Sequence, residues 1–83
     1  MIFPTVHLNG TSREALFDGF IEAHRAITEA RKAIQAIYPN GRDYYTQGPY
    51  ALRSAENEYD ARLKVLGEMA YDLLLLAAHC QDS

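Results

Sequence analysis

Tyr38-Pro39-Asn40-Gly41-Arg42-Asp43-Tyr44-Tyr45-Thr46-Gln47-Gly48-Pro49 interrupts two long helical patterns, and reading it as a connection rather than as helix decides the fold. Pro39 inside a helix would remove a backbone hydrogen bond, and Asn40 or Gly41 suits a left-handed cap that ends one. Pro49 suits the first position of a new helix, where its missing N–H costs nothing. Antiparallel helices can be joined by a few residues. A segment that holds Arg42, Asp43, two adjacent tyrosines and Gln47 is richer than such a turn requires.

On the N-terminal side of this segment, Leu16, Phe20, Ala23, Ile27, Ala30, Ile34 and Ile37 recur at alternating steps of four and three. This spacing predicts a first helix over 12–38 with a heptad-like seam, widened by Phe17, Ile21 and Tyr38. Thr11-Ser12-Arg13-Glu14 matches a capping box, Thr11 accepting from the Glu14 amide and Glu14 reaching back. Ahead of it, Ile2, Val6 and Leu8 alternate with Phe3, Thr5 and His7, so residues 1–10 read as an extended arm or edge strand that Asn9-Gly10 turns into the helix. On the other side, Leu52, Ala55, Tyr59, Leu63, Leu66, Ala70, Leu73 and Ala77 predict a second helix over 49–79. From Leu73 to Ala78 it is apolar nearly all round, more than one hairpin can cover. The expected fold is all-α: one domain over 1–83, an antiparallel hairpin of two long helices with a short extended N-terminal arm and a loop at 39–48, assembled as a homo-oligomeric helical bundle.

Composition removes several function classes. With a net charge of -3 and only 8 Lys and Arg among 83 residues, the chain lacks the clustered basic surface that duplex nucleic acid demands. Small anions need only one or two well-placed arginines. The single Cys80 cannot form an internal disulfide and suits a reducing cytosol, where it reads as a small apolar residue. The start of the chain has no basic, apolar leader pattern, and the longest apolar run, Leu73 to Ala78, falls far below the roughly 18 residues of a membrane span. A soluble protein with no membrane partner is expected.

An enzyme's constellation is missing as well. His7, His24 and His79 form no pair at helical ligand spacing, so neither a metal site nor a cofactor is expected. Glu56, Glu58 and Asp60 alternate by two, which scatters them around a helix, and Glu56 and Asp60 read as partners of Arg53 and Lys64. The loop differs. Arg42 offers a planar fork for phosphate, Tyr44 and Tyr45 offer faces for a flat base, and Asn40 and Gln47 can read an edge by hydrogen bonding. The plain alternative pairs Asp43 with Arg42 and packs one tyrosine over the hairpin end. His7, Asn9, Thr11 and Ser12 form a second polar cluster at the mouth of the first helix, where free amides favour an anion, although capping also explains Thr11 and Asn9. Arg62, beside Tyr59, completes the candidate ligand set, with a solvated or ion-paired role as its alternative. A helix of about 27 residues separates the two clusters by roughly 40 Å. They can meet between head-to-tail chains, or within one chain if the arm, which spans up to about 33 Å, folds back along the helices.

His7-Leu8-Asn9-Gly10-Thr11-Ser12, Asn40-Gly41-Arg42-Asp43-Tyr44-Tyr45 and the helix from Ala51 to Arg62 together resemble a group of short phage-encoded proteins. In size and helical make-up the chain is also reminiscent of phage sponge proteins, which sequester cyclic oligonucleotides of CBASS or ADP-ribose-type signals of Thoeris. The likeness implies an anti-defence protein in the host cytoplasm that binds a small nucleotide without turnover. The alternative is a phage accessory protein acting by protein-protein contact. A third reading, a nucleotide hydrolase, would need ExxE and ExxD motifs on facing helices, which the acids here do not form.

Overall fold

Side chains seven residues apart on the first long helix fix how the two long helices meet. The computed structural model describes residues 1–82, which form α1 (Arg13–Ala36), a short α2 (Gly41–Tyr44) running into a 3-10 turn (Tyr45–Gln47), and α3 (Ala51–Asp82). His24 Nδ1 donates to the Ala70 carbonyl at 2.9 Å, Arg31 Nε to the Leu63 carbonyl at 3.2 Å, and Tyr38 Oη to Asp60 Oδ1 at 2.8 Å. As the first partner's number rises the second's falls, so α1 and α3 run antiparallel. The result is an all-helical hairpin measuring 61 × 20 × 17 Å, with a radius of gyration of 18.3 Å. A compact chain of this length would have roughly 12 Å.

A carbonyl inside a helix already accepts one bond from the amide four residues on, but its second lone pair stays open if a donor can reach it. Gly67 provides the opening at Leu63, because it is the residue four along and carries no side chain. A Cβ placed there would lie 3.6 Å from Arg31 Nε. Between these donors, Phe20, Ile27 and Ile34 supply the apolar half of the contact, each half-buried. The α1 seam is therefore Phe20, His24, Ile27, Arg31, Ile34 and Tyr38. It shares Phe20, Ile27 and Ile34 with the expected stripe. Leu16 and Ala23 of that stripe are half-buried as well, whereas toward the loop its second column gives way to Arg31 and Tyr38. Ala30 and Ile37 are exposed, Ile37 by 65%.

On α3 the expected apolar set does turn inward. Ala55, Leu63, Ala70 and Ala77 are buried and Leu52, Tyr59, Leu66 and Leu73 half-buried, at steps that keep a 3.5-residue period along most of the helix. Cys80 extends the line and is fully buried. Leu74 and Leu75 remain exposed. No described helix is long and apolar enough to cross a membrane.

Element ends differ from expectation for local reasons. Ser12 rather than Thr11 caps α1, its Oγ accepting from the Ala15 amide at 3.1 Å, so the helix begins at Arg13. α1 closes with tightened bonds from Ile37 N to Ile34 O (3.1 Å) and Tyr38 N to Gln35 O (3.2 Å). Asn40 is extended (φ −125°), so neither it nor Gly41 serves as a left-handed cap. The stretch expected as a loop at 39–48 instead holds α2 and the 3-10 turn. Pro49 lies in a turn before α3, which starts at Ala51 and runs past the expected end at 79 to Asp82. The arm pairs with no strand. His79 Nε2 donates to the Pro4 carbonyl at 3.0 Å, and the Phe3 ring lies 4.8 Å from the His79 ring, which holds the arm at the end of α3.

Gly67 gives a direct test of this seam. Gly67→Ala should stabilise the fold by about 0.5–1 kcal/mol through helix propensity, since its Cβ meets Arg31 at ordinary contact distance. Gly67→Leu should displace Arg31 and cost about 1–2 kcal/mol through the lost hydrogen bond. Urea unfolding reads both, and in an Arg31→Met background the penalty of the Leu variant should shrink.

Candidate functional site

Asn40 organises the loop end of the hairpin. Its Oδ1 accepts from the Arg42 amide at 3.0 Å, its Nδ2 donates to Asp43 Oδ2 at 2.9 Å, and its carbonyl accepts from the Asp43 amide at 3.2 Å. This cap nucleates α2 and ties the Asn40 side chain to both the Arg42 amide and the Asp43 carboxylate. Asp43 therefore does not pair with Arg42, as the plain alternative had it. Among the described residues the Arg42 guanidinium has no hydrogen-bond or ion-pair partner, and it is exposed.

The helical turn then sets neighbours. Arg42 and Tyr45 stand three apart on a continuous right-handed turn, with Tyr45 at φ −64°, ψ −25°, so they share a face. Tyr45 is 79% exposed while Tyr44 is half-buried. The two tyrosines, Gly41, Gly48, Pro49 and Leu52 line a recess of about 420 Å³. Gly48 makes the recess possible: at φ 107°, ψ 170° it reverses the chain into α3 through a region open only to glycine. Gln47 is exposed beside it. Tyr50, also 79% exposed, follows Pro49 at this end of the hairpin. It was missed in the sequence because it reads as part of the helix that follows, although it lies just outside α3.

The remaining candidates are placed elsewhere. Arg62 sits eleven residues into α3, roughly 16 Å from the loop, with its guanidinium 5.6 Å from the Tyr59 ring centroid. At the opposite end, His7 and Asn9 belong to a turn closed by the Gly10 amide on the His7 carbonyl (3.1 Å), and the His7 ring crowds Gly10. Ser12 is the α1 cap, and Thr11 is exposed. Because the arm is held by His79, it does not fold back along the helices. The structure thus brings Asn40, Arg42, Tyr44, Tyr45 and Gln47 together and leaves His7, Asn9, Thr11 and Ser12 at the far end of a 61 Å molecule.

The acids are engaged differently from the sequence pattern. Glu56 lies 3.9 Å from Arg53, as expected, but Asp60 accepts from Tyr38, and Lys64 lies 4.0 Å from Glu68 instead. Among the described residues no group of three or more His, Cys, Asp or Glu is placed to hold a metal ion. The Asp60 bond raises the Tyr38 phenol above its ordinary value, with desolvation adding to it. Tyr38 also meets Tyr59 edge-on, ring centroids 6.1 Å apart, which ties the last clamp to the ring under Arg62.

No protein-family model, curated protein or solved structure matches this chain.

Two measurements check this geometry. Gly48→Ala meets open space, so its cost should be backbone strain alone, about 1–3 kcal/mol, read by thermal unfolding. A proton held more tightly by Tyr38 in the folded state stabilises that state. This contribution is complete below the unfolded phenol's pKa near 10 and is lost as pH rises through the higher folded value. Melting temperature should fall above that pH more steeply in the native chain than in Tyr38→Phe.

Proposed function

We propose that this chain is a non-catalytic binding protein that self-associates and captures a small anionic nucleotide at the loop end of the hairpin. The observation that supports it is the state of Arg42: a guanidinium without a partner, on the same face as an exposed Tyr45, beside an aromatic-walled recess. A planar fork next to open ring faces matches a phosphate joined to a flat base. Gln47 is positioned to read the base edge. Asn40 acts through the cap that orients Arg42 rather than by direct contact, and Arg62 is engaged with Tyr59 away from the pocket.

The likeness in size and helical make-up to phage sponge proteins suggests nucleotide signals of bacterial defence as the ligand class, with cyclic oligonucleotides and ADP-ribose derivatives as the probes. Acting in the host cytoplasm, such a protein would withhold the signal by holding it. A second reading rests on Tyr45, Tyr50 and Ile37, which expose aromatic and aliphatic side chains at one end, a composition enriched in protein interfaces.

Incubation with each probe, heat denaturation and chromatography of the released material separate these readings. Intact ligand is expected. Altered ligand would establish turnover, and no retained ligand would leave the protein-contact reading. Arg42→Ala should weaken binding by about 1.5–3 kcal/mol, the range for hydrogen bonds to a charged group, with helicity and melting temperature unchanged. Arg42→Lys should recover only part, because it lacks the fork. Loss of helicity in Arg42→Ala would show that the residue is structural.

A further inference from the structure

We infer that a second copy of this chain docks on the outer face of the hairpin through the α1 column Leu16, Ala23, Ala30 and Ile37, with both loops at the same end of the pair. The inference rests on the self-association put forward above and specifies its face and direction. The column recurs every seven residues, is apolar throughout, and adjoins the hairpin's own seam. Because α1 closes on α3 with His24, Arg31 and Tyr38, this second heptad column is only partly covered among the described residues: Leu16 and Ala23 are half-buried, while Ala30 and Ile37 lie exposed.

On α3 the same face continues across a shallow groove of about 460 Å³ lined by Ile34, Ala61, Arg62, Val65 and Leu66, with Val65 55% exposed and Met69 one turn beyond. The opposite groove sets the polar side chains His24, Thr28, Arg31, Lys32 and Gln35 of α1 against Gly67, Ala70, Tyr71 and Leu74 of α3.

Surface area sets the size of what is missing. The chain exposes 6165 Å², whereas a folded monomer of its mass would expose roughly 5,000 Å². Burying the excess from each of two copies would remove roughly 2,300 Å², within the range of obligate homodimers.

The side chains then select the occupant and its direction. Between Leu16 and Ile37 at its two ends, the α1 half of the face is small, with Gly19, Ala26, Ala30 and Ala33 all exposed, and a Cβ at Gly19 would meet nothing within 4 Å. The α3 half is large, with Val65, Leu66 and Met69. A face that is small on one side and large on the other complements itself when a second copy sets its α3 on the first copy's α1. Both contacts then keep an even helix spacing of about 8–10 Å. That arrangement needs a two-fold axis along the hairpin, which puts both loops at one end. A head-to-tail pair would instead stack α1 on α1 and α3 on α3, joining small to small and large to large.

Sedimentation and spin-label distances test this. The native chain should sediment at twice its 9.4 kDa mass. Ala30→Glu and Val65→Glu, both on the outer face and exposed within the chain, should sediment as monomers with helical circular dichroism retained, while Leu74→Glu in the opposite groove should stay paired. Labels at Thr46→Cys in a Cys80→Ala background should lie within roughly 30 Å of each other, given helix spacings of this size. A monomeric native chain would remove self-association itself. A native pair that survives Ala30→Glu and Val65→Glu would overturn the face alone, and a label distance near the 61 Å length of the molecule would overturn its direction. Nucleotide retention by a monomer would leave the loop site standing without either.

Discussion

Donation from His24 and Arg31 of α1 into the α3 backbone, and from Tyr38 just past α1 to the Asp60 carboxylate, is the constraint on which the rest of the hairpin depends. An apolar seam tolerates small rotations, because one methyl replaces another at little cost. A half-buried arginine or histidine does not, since leaving it without an acceptor costs its desolvation. His24, Arg31 and Tyr38 therefore lock the rotation of α1 about its axis, and their partners at Ala70, Leu63 and Asp60 lock the register along α3. Glycine at position 67 and alanines at 55, 70 and 77 let the helices approach closely enough for those bonds. The accompanying surface ion pairs, such as Glu22 with Arg25 at 2.6 Å, lie in solvent and add little by comparison.

That rotation has a cost and a product at opposite edges of α1. Turning the polar column inward moves the all-apolar column outward, so the chain closes one contact by exposing another. At the far end of the seam, Tyr38 completes the clamp just before the buried Pro39, and the chain leaves the helix in a fixed direction. The loop starts from that point. Asn40 caps α2, α2 aligns Arg42 with Tyr45, and Gly48 returns the chain to α3. Among the described residues the polar side chains of the loop thus divide into those bonded within the cap, Asn40 and Asp43, and those left exposed, Arg42 and Gln47.

Much of this was legible in the sequence, and the parts that were not share a cause. The inward face of α3 could be read residue by residue, because a fully apolar set at heptad spacing has only one way to face. The rotation of α1 could not. Phe20, Ile27 and Ile34 belong equally to two seams, and hydrophobic spacing prefers Ala23, Ala30 and Ile37 over a column containing His24 and Arg31. Only the carbonyls of the facing helix reverse that preference, and a backbone acceptor leaves no mark in a sequence pattern. The same limit applies at the caps. Thr11 and Ser12 are both able to cap, and Asn40 can end one helix or begin the next. Its role as the start of α2 follows from Asp43 three residues on, a signal that was present as Asn-x-x-Asp. At the candidate site, Arg42 and Tyr45 were identifiable from residue type, whereas the commitment of Asn40, the separation of the His7 to Ser12 cluster and the contribution of Tyr50 depended on tertiary placement.

The charge distribution bears on what kind of anion the loop end could hold. The shaft of the hairpin is acidic: Glu29, Glu58, Glu68 and Asp72 are exposed along it, and the chain carries -3 in total. A long polyanion lying along this surface would meet like charge over most of its length, at a distance comparable to the roughly 8–10 Å over which salt screens exposed charges. A small anion at the loop tip meets Arg42 first and extends no further. Asp43 stands beside Arg42 and offsets its charge, so the tip attracts through the forked geometry of one guanidinium rather than through net positive charge. Pairing two copies with their loops together would bring two such forks to one end without changing that balance.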